Sequence, residues 1–321
     1  MPQSSSATSI LRIGSRGSPL ALVQSREVRS RLAAAHGLDQ AQTEIKVIRT
    51  TGDVISDRPL ADAGGKGLFT KEIEEALLSG AIDLAVHSTK DMPTVLPEGL
   101  MLAAFLPRED ARDAFIGSLP HSPGMDGVAA LRALPKGAVV GTASLRRQAL
   151  VKRLRPDLAI VPLRGNVETR LRKVEAAEVD ATVLAVAGLK RLGLFSAATA
   201  VFDIDEFLPA IGQGAIGIEI RRDDAATRAL VAAIDDPDTA TALAAERAFL
   251  AVLDGSCRTP IGGYARVSEQ AVRFRGIVAK PDGSAAFEVV REGPRDQAAA
   301  LGVDAGLDLK RRAGPDFFAR D

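Results

Sequence analysis

The 321 residues carry 41 lysines and arginines against 41 aspartates and glutamates, so the chain has no overall pull toward nucleic acid or an anionic membrane surface. One cysteine excludes an intrachain disulfide, and three scattered histidines with no HExxH give no protein-built zinc site, so no metal is expected. No tryptophan and a single tyrosine leave no stacking platform for single-stranded nucleic acid, and no apolar run approaches the roughly 20 residues of a membrane span.

In chain order, the opening "MPQSSSATS" is polar, without a charged or apolar targeting pattern, and reads as a loose tail, so a cytoplasmic location is expected. The first two-thirds then repeat one grammar of short apolar strand, small-residue turn and amphipathic helix. "ILRIGS" leads into a helix over "PLALVQSREVRSRLAAAH", where Ser18 can cap, Pro19 suits the first helical position and Gly37 ends the run. "EIKVIR" reads as a strand, "KEIEEALLSG" as a helix and "AIDLAV" as a strand. After Pro107 the pattern restarts: "GAVVG" with "TASLRRQALVKRL", "LAIVPL" with "RGNVETRLRKVEAA", and "DATVLAVAG" with "LKRLG". Strands alternating with helices predict parallel sheets covered on both faces, and two such sets predict two doubly wound α/β lobes.

Past Arg221 the grammar changes. "TATALAAERAFLAVLDG" reads as a helix, "GGYARVS", "AVRFRGIVA" and "AAFEVVRE" as an antiparallel sheet, and "DQAAALGVDAGLDLKRRA" as a closing helix. This third, smaller α+β domain holds the lone Cys257 in the turn "LDGSCRTPIGG". On composition alone such a cysteine is a small buried hydrophobe.

Two glycine motifs fail their context. "GQGAIG" matches GxGxxG but lacks a preceding strand and a following helix, and "GGKG" at 64–67 lacks the spacing and hydroxyl of a P-loop. The latter ends a long irregular run, 50–67, of the kind that covers functional sites. The arginines say more. Arg146, Arg147 and Arg164 fall just after strands, as do Arg16 and Ser18, where helix N-termini favour anions; Lys152, Arg153, Arg155, Arg172 and Lys173 read as a solvated helix face. Arginines at several such turns predict a cleft for an elongated polyanion. Ser88, Lys90 and Asp91 form a third polar cluster at the end of the strand "AIDLAV". A two-lobed receptor for an anionic metabolite and nucleic-acid binding through the basic segment 146–173 are the rival readings. The neutral total charge disfavours the second, and the third domain disfavours the first.

Eight segments in order carry a resemblance: "GSRGSPLAL", "GGKGLFTKEIE", "DLAVHSTKDMP", "GTASLRRQ", "LRGNVETRL", "LAVAGLKRLGL", "AIGQGAIGIE" and "ERAFLAVLDGSCRTPIG". Together they resemble the porphobilinogen deaminase, or hydroxymethylbilane synthase, family along nearly the whole chain. The resemblance implies a transferase of tetrapyrrole and heme biosynthesis that joins four porphobilinogen units head to tail, releasing ammonia, to give hydroxymethylbilane. It implies a dipyrromethane cofactor held as a thioether to Cys257 and a catalytic aspartate at Asp91. Arg16, Ser18, Ser88, Lys90, Thr142, Ser144, Arg146, Arg147, Arg164, Arg170, Arg191 and Gln213 would bind cofactor and substrate, and Lys66 and Phe69 would end an active-site loop. It further implies two lobes resembling periplasmic binding proteins. The first would be discontinuous (1–107 and 214–222), the second would span 108–213, and a cofactor-attachment domain 223–321. The expected partners are porphobilinogen and, for the product, uroporphyrinogen-III synthase, with no nucleic acid and no membrane; the expected state is a monomer.

Overall fold

The computed structural model describes residues 10–54, 69–118, 125–253 and 260–317. From the N-terminus come β1 (Leu11–Ser15), α1 (Pro19–His36), β2 (Thr43–Val47), α2 (Thr51–Val54), α3 (Lys71–Leu78), β3 (Leu84–Ser88) and β4 (Leu100–Phe105). The helix α1 starts and stops as its sequence dictates: the Ser18 hydroxyl accepts from the Ala21 N–H, Pro19 opens the first turn and Gly37 closes it at φ 64°. Next are β5 (Asp113–Gly117), α4 (Gly127–Ala133), β6 (Val139–Gly141), α5 (Leu145–Leu154), β7 (Ala159–Val161), α6 (Val167–Glu175), β8 (Ala181–Ala185), α7 (Val186–Arg191) and β9 (Ala200–Val201). The chain ends with β10 (Ile216–Arg221), α8 (Ala225–Ala232), α9 (Pro237–Val252), β11 (Ile261–Val267), β12 (Ala271–Ala279), β13 (Ala286–Pro294) and α10 (Ala298–Ala313). No described helix is long and apolar enough to cross a membrane.

These strands make three sheets, ordered β2-β1-β3-β10-β4, β7-β6-β8-β5-β9 and β11-β12-β13. The first two share one plan. A parallel trio is followed by a strand running the other way: β10 is antiparallel to β3 and β4, and β5 is antiparallel to β8 and β9. The sheets are therefore mixed, not parallel as the strand–helix alternation predicts. The reason is the connection. Neither β5 nor β10 follows a helical crossover within its own sheet; each arrives directly from the other sheet, with its direction reversed.

The two connecting segments run side by side. Glu109 N–H donates to the Gly214 carbonyl at 3.2 Å, and the Arg108 Nε donates to the Gln213 carbonyl at 2.9 Å. They approach so closely that a Cβ on Gly214, at φ 89°, would lie 2.3 Å from the Glu109 carbonyl oxygen.

One strand boundary also differs from its sequence reading. "DATVLAVAG" is an apolar run long enough for a strand, yet β8 stops at Ala185 and Val186 begins α7. Val186, Ala187, Gly188 and Leu189 are all buried, so the run has the same pattern as helix or strand. The ladder with the neighbouring β5 ends at the pair Asp113–Ala185, with one further bond from the Val186 N–H to the Arg112 carbonyl at 3.0 Å.

The third sheet, antiparallel throughout, packs against α9 and α10, with Phe249 and Phe274 in contact at 4.8 Å between ring centroids. One buried carboxylate ties the third sheet to both connecting segments. Glu246, on α9, accepts from Arg108 Nη1 at 2.5 Å, Arg108 Nη2 at 3.1 Å, Gly212 N–H at 2.8 Å and Ala265 N–H at 2.9 Å.

Candidate active site

Parallel strands that end together leave their following turns on one rim, and this puts the sequence motifs side by side. At the ends of β1 and β3, Arg16, Ser18, Phe69, Thr70, His87, Ser88 and Asp91 line one pocket, with Gln24 of α1 beneath. Ser88 and Gln24 clasp each other, with Gln24 Nε2 donating to the Ser88 hydroxyl at 2.8 Å. Residues 89–91 form a single tight helical turn after β3, which presents Lys90 and Asp91 outward. The Arg16 guanidinium lies over the Phe69 ring at 4.2 Å and reaches Asp91 at 3.9 Å, a long, half-exposed ion pair.

The second wall comes from the turns after β6 and β7. Ser144 caps α5 by accepting from the Arg147 N–H, and the Thr142 hydroxyl accepts from the Ser144 N–H at 3.1 Å. Arg146 and Arg147, in the first turn of α5, both turn inward to Asp113 at 2.8 and 2.7 Å. Asp113 also accepts from Gln213 Nε2 at 2.9 Å, and the two guanidinium groups hold its carboxyl far below the usual carboxylate range against the opposing effect of burial. Arg170, on α6, donates from Nε to the Gly165 carbonyl at 2.9 Å.

The two walls share one electrostatic field. Lys90 is exposed, but its Nζ approaches Oε1 of the enclosed Gln213 at 3.4 Å. Desolvation, and then the positive charge of Arg147, lower its ammonium to about 8. Arg170 is lowered to about 10, first by burial and then by Arg147 and Arg164, with Asp91 of the opposite wall acting the other way. Cations that disfavour one another's charge in this way are a ready receptor for carboxylates.

Not every expected contact residue faces this field in the same way. Arg146 also donates to the Leu208 carbonyl at 2.7 Å, and Arg191 donates to the Gly214 carbonyl at 3.0 Å with Glu27 of α1 at 3.7 Å. Gln213 is fully enclosed and accepts from Lys90 Nζ at 3.4 Å. These three have protein acceptors and brace the wall and the connecting segments. Arg155, expected on a solvated face, instead donates to the carbonyls of Leu131, Arg132 and Leu134. Cys257 and Lys66 lie outside the described residues.

Reading the sequence missed Asp113, Gln24 and His87. Gln24 had a signal: it interrupts the apolar stripe that continues through Val28 and Leu32 on the buried face of α1. Asp113 is the acid that opens the apolar strand "DAFIG", and nothing local marks it as the partner of two arginines more than thirty residues away.

Comparison with known proteins decides the family. Residues 11–229 match the family model described as "Porphobilinogen deaminase, dipyromethane cofactor binding domain", and residues 240–311 match "Porphobilinogen deaminase, C-terminal domain". The chain belongs to the porphobilinogen deaminase family. Porphobilinogen deaminases of Nitrobacter winogradskyi and Nitrobacter hamburgensis are each 62% identical over 317 residues, covering 98% of this chain and 98% of theirs. Among solved structures, a periplasmic binding protein from Brucella ovis with glutathione bound is similar at 16% identity, covering 77% of this chain and 70% of that one, with a TM-score of 0.42.

As a porphobilinogen deaminase the chain is a deaminating transferase of tetrapyrrole synthesis. It assembles hydroxymethylbilane from porphobilinogen and uses a dipyrromethane cofactor. The residues on the page fit that group. A dipyrromethane built from porphobilinogen bears an acetate and a propionate on each ring, and the unbalanced field around Lys90 and Arg170 is one that such carboxylates relieve.

Proposed function

We propose that the cleft between the first two sheets is where porphobilinogen is added, with Asp91 as the catalytic carboxylate and Cys257 as the thioether anchor of the primer. When bound, a dipyrromethane supplies the free pyrrole end to which the next unit is joined. The chain's own residues do the rest. Arg16, Ser18, Ser88, Lys90, Thr142, Ser144, Arg147, Arg164 and Arg170 supply donors to the substrate's carboxylates, each charge-assisted bond being worth roughly 1.5–3 kcal/mol. Arg146 and Arg191 take part through the donors that their protein contacts leave, and Gln213 through its contact with Lys90. Asp91 stands where positive charge develops as ammonia leaves. A fixed carboxylate there stabilises the cation by hydrogen bonds to its pyrrole N–H. Phe69, which follows the segment 50–67, most of it outside the described residues, helps to exclude water from that cation.

The observation that carries this reading is an accessible carboxylate, Asp91, facing a field of cations dense enough to lower both Lys90 and Arg170. The sheet memberships support a division into a first lobe of 1–107 with 214–222, a second of 108–213 and an attachment domain of 223–321. We further propose a cytoplasmic monomer whose product passes to uroporphyrinogen-III synthase.

Intact mass tests the anchor. The purified chain is expected to be heavier than its sequence by two linked pyrrole units, with the increment on the peptide that contains Cys257. Cys257→Ala is expected to remove the increment and almost all turnover while the chain stays folded. An unmodified Cys257 in active enzyme would overturn the anchor.

A further inference from the structure

Beneath the turn that carries Asp91 lies a polar cluster that the reaction as described does not use. His87 Nε2 meets the Glu219 carboxylate at 3.1 Å, with side chains only 4% and 0% exposed. Glu74 of α3 is buried against both: burial raises its carboxyl above the ordinary range, a hydrogen bond from Thr70 opposes this, the Glu219 charge adds to the rise and His87 acts the other way. One oxygen of Glu74, one of Glu219 and the hydroxyl of Thr89 are buried without a hydrogen-bond partner. Apolar side chains would fill this space at less cost, so the cluster is not explained by stability.

We propose that His87 is a positioning residue for Asp91, aimed by Glu219 and Glu74 so that the end of β3 holds the catalytic turn at a fixed pitch. The geometry is that of a two-sided clamp. Successive side chains of a strand point to opposite faces. Ser88 is clasped from the α1 side by Gln24, and His87 is clasped from the other side by Glu219. The return strand β10 lies against both, with Gly217 opposite His87 and the Thr89 N–H donating to the Ala215 carbonyl at 3.0 Å. Beyond the turn, Arg247 of α9 donates to the Pro93 carbonyl at 2.8 Å. Asp91 stands between these holds with its long contact to Arg16, so the backbone of the turn sets its direction.

The charges around the cluster are few among the described residues. Arg247, lowered by burial, is sustained by Glu219. At the far end of the sheet Arg12 pairs with Asp83, and Arg221 pairs with Asp224 and lies 3.9 Å from Asp83. The strand β4, "LMLAAF", has no ionisable side chain. Glu219 thus balances Arg247, and burial favours the neutral form of Glu74.

The inference rests on the role of Asp91 proposed above, and the test separates the two. Primer-bearing His87→Leu, His87→Gln, Glu219→Gln and Asp91→Asn are compared with the parent enzyme. Intact mass reports whether each retains the two-pyrrole increment. His87→Leu is expected to lower kcat about tenfold or more with KM for porphobilinogen held within about twofold, and His87→Gln to restore most of the rate. Glu219→Gln is expected to lower kcat with KM held and to displace the pH profile of kcat, and it decides the matter if His87→Leu does not fold. Three results would overturn the proposal: a parental kcat in folded His87→Leu, kcat, KM and melting temperature failing together with no rescue by Gln, or an unmoved pH profile in Glu219→Gln. An Asp91→Asn enzyme that turns over normally would overturn the role of Asp91 and this inference with it. A dead Asp91→Asn beside an unimpaired His87→Leu would overturn this inference alone.

Discussion

Lys90 illustrates how one side chain takes its chemistry from its surroundings. Ordinary lysine keeps its proton well past neutrality, but desolvation and the nearby Arg147 lower this one to about 8. The cation is the form that binds a carboxylate, and a bound carboxylate in turn stabilises the cation. On its proposed role, binding through Lys90 is complete below that value and fades as pH rises through it. We expect KM for porphobilinogen to rise about tenfold across the alkaline limb, consistent with the loss of one charge-assisted bond. Lys90→Arg, which cannot shed its proton, should move that limb to higher pH. A pH series of KM for both enzymes checks this, and parallel curves would remove Lys90 from the binding set. At this same scale, Arg16, Ser18, Ser88, Lys90 and Asp91 were legible in the sequence because the turns after strands are where open α/β sheets bind ligands. Asp113 was not, because its role exists only once Arg146 and Arg147 are folded against it.

Among the elements, α9 does more than cover the third sheet. Its Glu246 accepts four hydrogen bonds from three different parts of the chain and is completely buried. Removing one partner of a buried pair leaves the other charge uncompensated. Glu246→Ala should therefore destabilise the protein by about 3–5 kcal/mol, measured by urea unfolding. A loss below about 1 kcal/mol would mean that water replaces the carboxylate beside Arg108. The helices were the most legible elements, since α1, α9 and α10 combine long apolar periodicity with clear ends. The boundary between β8 and α7 was not legible. A short run of buried apolar residues has no face to show, and the strand ends where its ladder with β5 ends.

In the whole molecule, the two segments joining the first two sheets run in close contact. Gly214 has a left-handed φ of 89°, and a Cβ there would meet the Glu109 carbonyl at 2.3 Å. Gly214→Ala must both strain its backbone and part the two segments. We expect a melting temperature lower by about 4 °C or more. An unchanged melting temperature would show that the segments separate freely.

By itself the sequence determined the elements, their order, the three blocks and, through eight motifs in register, the family. These are local properties, carried by side-chain periodicity, capping residues and short-range spacing. Only the tertiary structure decided that β10, expected in the first lobe, lies between β3 and β4, that Asp113 collects two arginines, and that His87, Glu74 and Glu219 meet beneath the turn that carries Asp91. Such pairings join residues up to 145 positions apart, as in Glu74 and Glu219. No local pattern encodes them: what selects each partner is the burial of charge, which has no energy until the chain has closed around it.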